Sequence, residues 1–119
     1  MRLVEDPHAA SWLDTLEGEA RDFEWDTRNR TKLKKHEVEE EDVESMFRSP
    51  IIFAGRIIEP AHDEPRWLVL GKSVRGRKLA LILTRRGERL RPISCRAMRR
   101  DERKVYEEAI RAEGKGARS

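Results

Sequence analysis

The stretch RPISCRAMRRDER carries five arginines, Arg91, Arg96, Arg99, Arg100 and Arg103, across the join between a strand-like and a helix-like pattern. A guanidinium is charged at every accessible pH and its planar fork fits a phosphate, so such a row needs an anionic partner or solvent. Further bases and cations stand upstream: Lys34, Lys35 and His36 together, His62 and Arg66 nearby, Arg75 and Arg77 around a glycine, then Arg85. No Gly-rich phosphate loop, nucleophile elbow or zinc-type Cys/His spacing accompanies them. This inventory suits the cleavage of RNA, whose 2′-hydroxyl is the nucleophile. A base activates that hydroxyl, a cation steadies the pentavalent phosphorane, and an acid protonates the leaving 5′ oxygen. Arginine positions and stabilises charge in such a scheme, and lysine or histidine trades the protons, lysine with its pKa depressed by positive neighbours.

Charge is unevenly divided along the chain. Residues 1–65 hold 9 Lys/Arg against 17 Asp/Glu, whereas residues 66–104 hold 14 against 3, although the chain as a whole carries only +3. A basic block of that density is the footprint of a polyanion binder, provided that folding gathers it on one surface; a mixed, solvated surface is the alternative. With 119 residues and 41% charged side chains, the chain predicts one domain with a thin core. No apolar run reaches the length of a membrane span and no secretory leader is evident, which leads to a cytoplasmic expectation. The single Cys95 alternates with Ile93 and Ala97 and reads as a buried structural thiol.

The elements that must position these groups follow from periodicity. Residues 1–22 read as a peripheral extension interrupted by Pro7, with only SWLDTL (Trp12, Leu13, Leu16) amphipathic. DFEWD reads as a short strand, after which Asp26 caps a helix from Thr27 to about His36 with Asn29, Leu33 and His36 on one face. That face gives His36 a bland alternative as a half-buried helix-end histidine. A second helix spans about Glu39 to Phe47, its acidic first turn matched to the macrodipole. Four strand-length runs follow, Ile51–Ile58, Arg66–Ser73, Lys78–Arg85 and Leu90–Ala97, joined by connectors short enough for an antiparallel meander. Arg96 shares an alternate face with Ser94 and Pro92, opposite Cys95. A closing helix from near Arg99 to about Ala112 completes a domain over residues 23–112, and residues 113–119 read as a flexible tail.

The motifs FEWD, NRTKLKKHEV, VESMFRSP, GKSVRGRKLALILTRR and LRPISCRAMRRDERKVYEE, in that order across about residues 23–108, resemble the BrnT family. The resemblance implies a RelE-like α+β fold, with helices packed on one face of a twisted four- to five-stranded antiparallel sheet and a C-terminal helix. It also implies a type II toxin that cleaves RNA independently of the ribosome and that is neutralised by a BrnA-type DNA-binding antitoxin through which alone operator DNA is contacted; the reaction outlined above calls for no metal or other cofactor. On matching positions it carries over Lys35 and His36 as the proton-handling pair, with Arg66, Arg77 and Arg96 completing the catalytic set. Arg85, Arg99 and Arg100, with Arg75 from the residue reading, are the RNA-binding positions. Glu37 stands where the family has glycine after Lys-His, and the connector HDEPR is shortened. Two rival readings keep the basic surface but not the reaction: a nucleic-acid-binding module, or a degenerate toxin retained for partner binding and autoregulation. A repressor acting alone is disfavoured, because the predicted second helix is acidic rather than a basic recognition helix.

Overall fold

In the computed structural model, which describes residues 1–15 and 22–112, the chain runs β1 (Arg2–Val4), α1 (Pro7–Asp14), α2 (Thr27–Lys35), α3 (Glu40–Met46), β2 (Ile52–Glu59), β3 (Trp67–Lys72), β4 (Lys78–Arg86), β5 (Arg89–Ala97) and α4 (Arg100–Ala112). The strands form one antiparallel sheet in the order β1-β2-β3-β4-β5. The α+β class and the four-strand meander expected from the sequence are both present. No described helix is long and apolar enough to cross a membrane.

Side chains alternate across a strand, and both faces of the central strands are apolar, so the sheet has to be covered twice. Val69, Leu79, Leu81, Leu83 and Cys95 meet Leu33, Val43, Met46 and Phe47 from α2 and α3 on one face. On the other, Leu68, Leu70 and Ala80 meet Met98, just before α4, and Tyr106 within it. The sequence reading placed the helices on one side; α4 instead covers part of the face left open there, because Tyr106 and Ile110 bring a second apolar stripe that needs its own partner.

The N-terminal segment is more integrated than a peripheral extension. Asp6 caps α1 by accepting from the Ala9 N–H at 3.1 Å, and its other oxygen accepts the Trp67 indole N–H at 2.9 Å. Pro7 opens α1 rather than interrupting structure, since the first helical residue has no N–H partner to lose. Ala9 and Leu13 are buried in the first core, and Trp12 meets Trp67 edge-to-face at 5.4 Å. Gly55, at φ +146°, lets β1 close on β2: a Cβ there would lie 2.9 Å from the Val4 carbonyl oxygen. The expected contribution of Leu16 and the expected flexibility of residues 113–119 lie outside the described residues.

The strand predicted at DFEWD is reduced to a single parallel bridge between Phe23 and Leu90. The chain has to leave the sheet there, because Asp26 turns out to cap α2 through the Asn29 N–H while Phe23 points into the core against Phe47. Asn29, itself buried, donates to the Pro92 carbonyl at 2.9 Å and so ties α2 to the edge strand β5. Proline is tolerated in β5 because that edge needs no further strand partner and the ladder is already irregular at Ile82/Leu83.

Cys95 has no exposed surface, and burial pushes its thiol up to about 12. The thiolate is the reactive form, so a maleimide at pH 8 is expected to leave the folded protein unlabelled and to label the urea-unfolded protein fully. Rapid labelling of the native protein would contradict this packing.

Candidate active site

A cavity of about 190 Å³ opens between α2, the start of β3, and the facing ends of β4 and β5. Five cations line it, Arg28 and Lys32 from α2 and Arg66, Arg86 and Arg91 from the sheet, with Glu64 as the one carboxylate among the lining residues. They differ in what already occupies them. Arg91, buried, reaches Glu24 at 3.1 Å and Asp26 at 2.9 Å, and so pins the N-terminus of α2 to β5. That contact, before the Asn29 N–H, holds the Asp26 carboxyl below its ordinary range. Arg86 donates to Glu24 at 3.0 Å and to Glu64 at 3.1 Å, and holds the Glu64 carboxyl low in turn.

Arg66 is different. It is half-buried, its Nε is buried, and that nitrogen has no hydrogen-bond partner. A buried N–H without an acceptor costs about 1–3 kcal/mol, and a ligand oxygen would relieve it. Arg28 and Lys32 are exposed and, among the described residues, form no ion pair.

Helical spacing extends this basic surface. Positions 28, 32 and 35 fall on one face of α2, which puts Lys35 one turn beyond the cavity, with His36 as the C-cap of the helix. Both are exposed, so His36 is not the half-buried histidine of the bland reading.

The remaining predicted positions are not gathered with Arg66. Trp67 pairs with Leu83 and Arg96 with Ala80, so Arg66 and Arg96 stand roughly 13 Å apart along the strands and two strands apart across the sheet. Arg96 forms two hydrogen bonds to Glu102, at 2.7 and 3.0 Å, while the Arg99 N–H donates to the same carboxylate at 2.8 Å. This arrangement fastens the end of β5 to the first turn of α4 and, through Arg96 first, holds the Glu102 carboxyl low. Arg75 makes a two-pronged contact with buried Asp42, at 2.9 and 2.5 Å. Arg77 donates to the Glu37 carbonyl at 2.5 Å and lies 3.8 Å from Asp42. Glu37 is in the left-handed region at φ 56°, a conformation that glycine adopts at no steric cost. Arg85 stacks 4.8 Å from the Trp12 ring centre, at α1. Arg100 is exposed beside Arg103, Lys104 and Arg111 on the outer surface of α4.

Sequence reasoning passed over Arg28, Lys32, Glu64 and Arg86. A signal for two of them was present: Arg28, Lys32 and Lys35 repeat at helical spacing beside the Asn29, Leu33 and His36 face.

The fold is thus a small α+β domain with a cation-lined cavity at the edge of its sheet. The chain belongs to the BrnT family, the ribonuclease toxins of type II toxin–antitoxin systems: the family's sequence model matches residues 25–102, well over half of the chain. A comparison with curated proteins gives no match.

Proposed function

We propose that the chain is a metal-independent endoribonuclease of RelE-like fold that acts in the cytoplasm and is held inactive by a BrnA-type antitoxin, through which alone operator DNA is reached. The observation that carries the reading is the buried, unpartnered Nε of Arg66 in a cavity lined by four further cations. Arg66 binds the scissile phosphate there and stabilises the phosphorane. Lys35 and His36, one turn along the basic face of α2, protonate the leaving oxygen. Arg75, Arg77 and Arg96, paired with Asp42, Glu37 and Glu102, hold the surrounding elements in place, and Arg99 and Arg100 with the outer face of α4 guide the RNA strand. Arg85, stacked on Trp12, serves a more distant stretch of RNA. An acidic antitoxin segment laid over the same cations would shut the site.

Cleavage of an oligoribonucleotide by purified protein in EDTA tests the reading. Intact RNA, bound with salt-sensitive affinity, would favour the non-catalytic module instead. The combined Lys35→Ala and His36→Ala substitution is expected to lower kcat about 10²-fold, as loss of a general acid does, with little change in RNA affinity. An unchanged rate would remove the pair from the mechanism.

A further inference from the structure

We infer that Glu64 accepts the proton of the attacking 2′-hydroxyl, an assignment that rests on the ribonuclease reading above. Glu64 lies two residues before Arg66 and lines the same cavity, so a phosphate held by Arg66 brings its neighbouring ribose close to this carboxylate. Glu24, which accepts from Arg86 and Arg91, and Asp26, which accepts from Arg91 and caps α2, do not line the cavity. Among the described residues Glu64 accepts hydrogen bonds from Arg86 alone. Its Oε1 receives Arg86 Nη2 at 3.1 Å, while the contact from Arg86 Nε to Oε2 is long, 3.4 Å. Its side chain is one-third exposed and lines the cavity.

A purely structural role explains the placement poorly. Ion pairs between partly exposed side chains contribute little to stability, and a carboxylate among five cations weakens their hold on phosphate. As a base the carboxylate loses some proton affinity to the same cations but stays deprotonated beside them. Arg86 keeps the carboxyl ionised, and thus able to accept a proton, throughout the neutral range.

The step balances. The proton of the 2′-hydroxyl moves to Glu64 Oε2 as the 2′ oxygen bonds to phosphorus, the bond from phosphorus to the 5′ oxygen breaks, and that oxygen takes a proton from the Lys35 and His36 side. The products are a 2′,3′-cyclic phosphate and a 5′-hydroxyl. Glu64 then returns its proton to water, and the acid is reprotonated from water.

Glu64→Gln keeps the size of the side chain and an acceptor for Arg86. In EDTA with a short oligoribonucleotide, kcat is expected to fall about 10²–10³-fold with KM changed by no more than about twofold. The acid is common to both proteins, so the ratio of wild-type to variant rate isolates the base: it should fall about tenfold per pH unit as hydroxide replaces the missing carboxylate. Glu64→Asp, which retains a shortened carboxylate, should lie between the two and keep the wild-type profile; it also serves if the glutamine variant unfolds. Wild-type kcat in Glu64→Gln, or a change confined to KM, would overturn the assignment while leaving the ribonuclease reading intact. RNA left uncut by the wild-type protein would overturn both.

Discussion

Replacing Arg66 with alanine is expected to lower RNA cleavage about 10³-fold, the upper range for loss of one preorganised donor to a developing anion, without lowering the melting temperature. The two halves of this expectation have one source. Most arginines of this chain are engaged by carboxylates or carbonyls, so truncating them removes contacts the fold uses. Among the described residues the Arg66 side chain forms no ion pair, and its buried Nε lacks an acceptor. Its removal relieves a desolvated donor, so stability should hold or rise slightly. Arg66→Lys should recover only a small part of the rate, since an ammonium cannot present two coplanar donors to a phosphate. Steady-state kinetics beside thermal unfolding decide the matter. A variant that loses stability as well as activity would make Arg66 a structural residue, and one that cleaves at the normal rate would move the phosphate site elsewhere.

Arg66 was legible in the sequence because it opens a strand and matches a family position; its isolation was not. The carboxylates that occupy the other arginines lie far away in sequence: Asp42 is 33 residues from Arg75, and Glu24 is 62 and 67 residues from Arg86 and Arg91. The acidic first half and basic second half, read as a concealed polyanion site, turn out to neutralise one another in large part across the sheet and its flanking helices. What remains for a ligand is narrower than the basic block suggested: Arg66, the Arg28, Lys32 and Lys35 face of α2, and the outer face of α4. Local pattern was otherwise a good guide. Alternation predicted β2 to β5 to within two residues, Asp26 was recognisable as a cap, and Cys95 was placed on a buried face. β1 escaped because three residues carry no period, and its pairing with β2 spans more than fifty residues. The layer to which α4 belongs escaped because an amphipathic stripe shows that a helix docks, not which face of the sheet receives it.

Asp42→Asn should show what the acidic half contributes. Asp42 is 1% exposed in its side chain and is bound by Arg75 at 2.5 and 2.9 Å, by the Glu39 N–H at 3.0 Å and, more distantly, by Arg77. Through these contacts it joins α3 to the turn between β3 and β4, and Arg77 carries the connection on to the Glu37 carbonyl just past Lys35 and His36. Hydrogen bonds to a charged group contribute about 1.5–3 kcal/mol, and because Arg75 is half-exposed and hydrated once released, the loss should be about 2 kcal/mol, a fall of about 8 °C in Tm. The pH dependence identifies the cause. Arg75 above all, and the Glu39 N–H after it, hold the Asp42 carboxyl below its ordinary 3.8 despite burial. A carboxyl whose pKa is depressed by folding adds stability that is complete above the unfolded value and is lost as pH falls through the folded one. The gap between wild type and Asp42→Asn in urea unfolding should therefore be constant at neutral pH and close as pH drops below about 3.8. Asp26, Glu64 and Glu102 are shifted in the same direction, so both proteins weaken in acid, and only the difference reports Asp42. A gap that persists at low pH would mean that the substitution acts through shape rather than charge, and the ion-pair account of the scaffold would fail.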